Sequence, residues 1–158
     1  MENTLKVLFL HGMEGTPEGS KPTFMKEKGF KVIAPVLPKE NWELSVKRAK
    51  DSFENFEPDV VVGSSRGGAL ATALNTGNIP KILIAPAWTK FAVEEPLVNK
   101  TTTILHCLDD DLVNFEDSME LAECYNCKLI ECGERHRMSD DDALGKLLET
   151  LETFLELK

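Results

Sequence analysis

The chain is short of positive charge. Its 18 Lys and Arg stand against 27 Asp and Glu, a formal net charge of −9. Nucleic acid and anionic membrane both need a basic face, so neither is expected as a main partner. Long hydrophobic runs are missing too. The first run, Val7 to Leu10, follows a lone Lys6 and is too short for a secretory core or a bilayer span. A cytoplasmic location is therefore the expectation. Cysteine is limited to four residues, Cys107, Cys124, Cys127 and Cys132. Cys124-x-x-Cys127 has no second C-x-x-C or H-x-x-H at metal spacing, so no metal is expected. Free, partly buried thiols are the favoured reading. A Cys124–Cys127 redox pair is the alternative, but it lacks the strand-to-helix placement that lowers a thiol pKa. Repeats, low-complexity stretches and linkers are also absent. What remains is one domain, residues 1–158, with ordinary apolar (42%) and charged (28%) content and enough length for a core.

Apolar runs alternate with amphipathic stretches along the whole chain. Strands are predicted at Leu5–Leu10, Lys31–Ala34, Asp59–Gly63, Lys81–Ala85, Thr102–His106 and Lys128–Glu131. Most are continuous Val, Ile and Leu, the pattern of parallel strands covered on both faces. Trp42, Val46, Ala49, Phe53 and Phe56 share one helical face, as do Leu144, Leu147, Leu148, Leu151 and Leu155. Ser139 is placed to cap the last helix, with Asp140 to Asp142 at the positive end of its dipole. A helix is also predicted from Ala69 to Asn75, with Gly77 to stop it, and another starting near Phe115. The expected fold class is α/β: a three-layer open sheet of about six parallel strands with helices on both faces.

Gly63-Ser64-Ser65-Arg66-Gly67 follows a strand and opens a helix. That context gives G-x-S-x-G the character of a nucleophile elbow, with the Ser65 hydroxyl pushed out of a sharp turn. Gly68 and Ala69 let the following helix approach the sheet. A nucleophilic serine needs a base, a group that orients the base, and donors for an oxyanion. Such groups belong on loops at the carboxyl ends of strands. After the first strand, His11-Gly12-Met13-Glu14-Gly15 is a tight turn whose Met13 amide is a candidate donor; the Arg66 amide is the other. After the fifth strand, Asp109, Asp110 and Asp111 are all candidate acids. After the sixth, His136 is a loop histidine before a helix, and histidine as a type titrates near neutrality, at about 6.5. His106 lies inside an apolar run and reads as a core or strand-end residue. His11 reads as a hydrogen-bonder within its turn. The Arg66 side chain has two readings, a surface salt bridge or a contact to an acidic substrate group. Trp88, at a strand's carboxyl end, is read as a wall of an acyl pocket; packing under the short Pro86–Asn99 loop is the alternative.

Elbow serine, acid and histidine after strands three, five and six make the chain order Ser…Asp…His. With it the sequence resembles the α/β-hydrolase superfamily over essentially its whole length, in a small, nearly lidless form. His11-Gly12 stands at the oxyanion turn and Gly63 to Gly68 at the elbow. His106 to Val113 is similar to H-G-x-x-D-x-x-V, a register that picks Asp110. Cys107 replaces its Gly, and Asn114 stands at the usual Pro. Gly133-x-x-His136 matches the histidine motif. The resemblance implies a serine esterase or thioesterase with Ser65 as nucleophile, His136 as base and Asp110 as acid. It implies no cofactor and a small-molecule acyl substrate. The competing expectation is a hydrolase-fold protein that binds without catalysis. A flavodoxin-like phosphate binder fits less well, because Glu14 and Glu18 have the wrong sign in its phosphate loop.

Overall fold

The computed structural model describes residues 4–13, 16, 18–91 and 93–158. Among these, the apolar runs form β1 (Lys6–Leu10), β2 (Lys31–Ile33), β3 (Val60–Ser64), β4 (Lys81–Ile84), β5 (Thr103–His106) and β6 (Lys128–Glu131). All pair in parallel in the order β2-β1-β3-β4-β5-β6. The order steps outward in both directions from β1 and β3, so their carboxyl ends form the switch point at which such sheets place their sites. Central strands are buried on both faces, as their unbroken apolar runs require. The edge strand β6 carries Lys128 and Glu131 outward and is only partly buried.

Helices cover both faces. α1 (Ser20–Glu27) and α5 (Asp141–Leu157) close one core with Val7, Phe9, Val60, Val62 and Leu105. α2 (Trp42–Phe56), α3 (Arg66–Thr72) and α4 (Phe115–Tyr125) close the other over Leu8, Leu10, Val61, Leu83 and Ile104. The α2 face runs as its spacing predicts: Trp42, Val46, Ala49, Phe53 and Phe56 all enter the second core.

Three details differ from the sequence expectation. The cap of α5 is Asp140, whose carboxylate accepts from the Ala143 amide at 3.2 Å. Ser139 instead meets Ser20 across the chain at 2.9 Å and ties the start of α1 to the loop before α5. The third element-level difference is α3, which begins directly after Ser65 and ends at Thr72, well before Gly77.

The elbow is fixed by backbone contact. A Cβ on Gly67 would lie 1.9 Å from the Leu10 carbonyl oxygen, and one on Gly63 would lie 2.3 Å from the Gly67 oxygen. The glycines thus serve close approach. The positive φ falls on Ser65 itself, at φ 56° and ψ −114°. That conformation is strained for a residue with a Cβ and persists only where its surroundings hold it. The Ser65 amide donates to Ile84 O at 2.9 Å, and its carbonyl accepts from the Ala87 amide at 3.0 Å.

Two lysines are buried. Lys21 Nζ donates to Arg137 O at 2.5 Å, and Lys81 Nζ donates to Leu74 O and Leu97 O at 2.6 and 2.5 Å. Burial, the largest influence, pushes each ammonium down to about 8. Burial also pushes the Cys107, Cys127 and Cys132 thiols up to about 11.

Two predictions follow from this packing. Gly67→Ala lowers stability by about 3 kcal/mol or more, since rigid backbone must shift to admit the methyl; a urea midpoint equal to the wild type contradicts the contact. The lysines, with folded pKa below unfolded, lose stability as pH falls from about 10.5 to about 8, so on their account stability rises with pH above about 8. The thiols, with folded pKa above unfolded, lose stability as pH rises from about 9 through 11. Urea midpoints measured across this range therefore peak near pH 9; a steady fall from pH 7 contradicts it.

Candidate active site

Four loops at the carboxyl edge of the sheet supply the site. Ser65 stands at the end of β3, and its Oγ is 2.9 Å from His136 Nε2. His136 lies on the loop between β6 and α5, which leaves the sheet through Gly133 at φ 86°. A Cβ there would press on the Met138 sulfur at 2.6 Å. The buried Lys21 and the Ser20–Ser139 contact hold this loop from α1. On its other side His136 Nδ1 is 2.6 Å from Asp110 Oδ2. The His136 side chain is 17% exposed and that of Asp110 is fully buried. The three groups form one line, from Ser65 to His136, with Asp110 facing the far nitrogen.

Asp110 comes to His136 because its loop folds around the carboxylate. Oδ1 accepts from the Leu112 and Val113 amides, both at 2.8 Å. Burial would raise this carboxyl; the Val113 amide, His136 and the Leu112 amide outweigh it, so Asp110 sits below the usual carboxylate range. Asp109 and Asp111 are exposed. The same loop brings in His106, at the end of β5, whose Nε2 is 3.0 Å from Asp110 Oδ2. Sequence reading places His106 in the core, and it is wholly buried. Its bond to the acid was missed. The available signal was its position four residues before Asp110.

The turn after β1 rests against the elbow. A Cβ on Gly12 would stand 3.2 Å from Ser65 Cβ and 3.8 Å from the Arg66 nitrogen. Gly12, which precedes Met13, is therefore beside Ser65, and the Arg66 amide lies in the first turn of α3, where helical N–H groups lack intrahelical partners. Glu14 and Gly15 lie outside the described residues. His11 is a hydrogen-bonder within its turn, as expected: Nδ1 donates to Gly12 O at 2.9 Å, and Nε2 accepts from the Leu37 amide at 3.1 Å.

Two side chains depart from the sequence readings. Arg66 is not a surface residue; it is 2% exposed and forms no salt bridge among the described residues. Its Nη2 donates to Pro38 O and Ser45 Oγ, both at 3.1 Å, and its guanidinium lies 5.5 Å from the Trp42 ring centre and 5.6 Å from that of Phe91. Those two rings are stacked at 5.2 Å. Arg66 thus binds the start of α2 to the elbow. Trp88 is 8% exposed, lies in the second core, and donates its indole N–H to Asp117 O at 3.0 Å. That is the placement of a residue packed beneath the loop.

The four cysteines are free, with Cys124 exposed and the others buried. The raised Cys127 thiol is the opposite of what a redox pair needs. Among the described residues, no group of three or more His, Cys, Asp or Glu is placed to hold a metal, and no helix is long and apolar enough to cross a membrane.

No protein-family model matches the sequence, and neither does any curated protein. Solved structures do match. A Xanthomonas campestris protein assigned as a hydrolase of the α/β superfamily shares 21% identity at a TM-score of 0.71, over 97% of both chains. Est1E from Butyrivibrio proteoclasticus shares 18% at 0.71, over 97% of this chain and 88% of its own. The ydeN gene product of B. subtilis shares 14% at 0.71, over 97% and 100%. The likeness runs along nearly the whole chain, and the fold it shows is that of the α/β hydrolases, in a six-stranded form.

Proposed function

We propose that this protein is a serine hydrolase that cleaves a carboxylic ester or thioester through an acyl-enzyme. The observation that carries the reading is the unbroken line Ser65 Oγ, His136 Nε2, His136 Nδ1, Asp110 Oδ2, with contacts of 2.9 and 2.6 Å. A buried acid, a partly open imidazole and a serine on a strained turn form the arrangement that nucleophilic acyl transfer requires. The Xanthomonas campestris protein of like fold, assigned as a hydrolase, supports it by analogy.

In this mechanism Ser65 Oγ bonds to the substrate carbonyl carbon as its proton passes to His136 Nε2. The Met13 and Arg66 amides receive the oxyanion. Collapse breaks the bond to the leaving oxygen or sulfur, which takes the proton from His136. Water, deprotonated by His136, then attacks the acyl-enzyme and releases the acid and free Ser65. Asp110 holds His136 in the tautomer with a proton on Nδ1 and stabilises its charged form.

The acyl group is read as small or exposed. Cavities of about 190 and 240 Å³ open at the amino edge of the sheet, around Lys81 and Phe30, and Ser65 lines neither. Exposed Met13, Val36, Leu108 and Leu112 lie on carboxyl-edge loops and offer an apolar rim instead.

Hydrolysis of p-nitrophenyl acetate and butyrate tests this reading. Ser65→Ala lowers kcat/KM by about a thousandfold or more, and Asp110→Asn lowers it by roughly 10³–10⁴ while the fold stays intact. A Ser65→Ala protein that turns over as fast as the wild type removes the nucleophile assignment. A folded wild type inert toward every ester and thioester tried favours the non-catalytic binder.

A further inference from the structure

Asp110 Oδ2 faces two histidines, and the mechanism above uses one. His106 Nε2 is 3.0 Å from Asp110 Oδ2 and 3.1 Å from Val113 O. Both are acceptors, so Nε2 must carry the proton; the tautomer is assigned from these partners. On the far side of the ring, Nδ1 is 2.7 Å from Ser118 Oγ, whose hydroxyl can donate to it. A ring with a donor at Nε2 and an acceptor at Nδ1 is neutral and fully bonded. His106 and Ser118 are both wholly buried.

We propose that His106 is a positioning residue that acts through Asp110, a permanently neutral second histidine whose Nε2–H aims and polarises the carboxylate facing His136. Asp110 then has four donors: the Leu112 and Val113 amides on Oδ1, and the His106 and His136 rings on Oδ2. Such a carboxylate has no rotational freedom left. The His106 bond also withdraws density from the oxygen that receives His136. Losing that donor makes Asp110 more basic and favours the protonated form of the pair, so activity should fail at a higher pH on the acid side.

The surroundings keep His106 uncharged. From its own loop it meets Asp110, and from the β6–α5 loop His136 acts on it. Burial comes first among the influences and lowers its pKa, against the opposing pull of Asp110. α4 presents Ser118 and the Phe115 ring, whose centre is 5.5 Å away. Just after β4, the apolar Ala85 lies beside Leu105, and on β6 the residue in register is Glu131, which is exposed.

Two measurements test the proposal, and the first does not rest on the hydrolase reading. In ¹⁵N-histidine-labelled wild type, NMR between about pH 5 and 8 should show one ring with its proton on Nε2 and no titration. A His106 ring protonated on Nδ1, or one that titrates in this window, overturns the proposal. The second compares pH profiles of kcat/KM for His106→Leu and His106→Gln. Glutamine can place an N–H where Nε2 was and cannot ionise. Leu should move the acid limb up by about half a pH unit and lower kcat/KM about tenfold, and Gln should return the limb toward the wild type. Equal limbs for Leu and wild type, or a limb in Gln displaced as far as in Leu, contradict it, whatever either substitution does to the melting temperature. Inactive wild type bears on the hydrolase reading alone, because the NMR result still decides this one.

Discussion

The fold and the site both depend on one close approach, that of the first turn of α3 to the end of β1. Gly67 sits against the Leu10 carbonyl with no room for a Cβ. This contact lets α3 start directly at the sheet edge, which forces the reversal at Ser65 and its positive φ. The same contact brings the β1 turn against the serine, since Gly12 lies beside Ser65 Cβ. Strain at Ser65 is held by bonds to β4 and to Ala87 and by the Arg66 side chain, which anchors α2. A serine held this firmly keeps its hydroxyl aimed at one point above the sheet.

Asp110 is the second organising centre. It is a buried charge, and buried charges persist only with their hydrogen bonds satisfied. Its loop meets that need with two amides and two imidazoles. The acid is therefore tied at once to β5 through His106 and to the β6–α5 loop through His136. The β6–α5 loop is tied in turn to α1 by Lys21. Elements far apart in sequence thus converge on a few atoms at one edge of the sheet.

Much of this was legible in the chain. Unbroken runs such as Val60-Val61-Val62 mark strands buried on both faces, and the α2 stripe from Trp42 to Phe56 has a clean helical period. Ser65 and His136 could be picked out from their places on loops after strands, whereas Asp110 was separated from Asp109 and Asp111 only by the resemblance. Other features were hidden for physical reasons. α1 presents Lys21 and Pro22 among its buried residues, so its stripe does not look apolar. Arg66 reads as a surface cation by type, yet it is buried under Trp42 and Phe91. His106 looks like core because it is core. Its bond to Asp110 depends on how the loop turns back, and composition does not record that. Trp88 sits at a strand's carboxyl end, as expected, but its side chain turns into the second core.

The central claim is that Ser65 is an activated nucleophile. Intact-mass analysis after brief exposure to a fluorophosphonate probe tests it most directly, with the adduct located by peptide mapping. The account predicts one adduct, on the peptide carrying Ser65, and none in Ser65→Ala. An unmodified wild type, or an adduct that persists in Ser65→Ala, would contradict it.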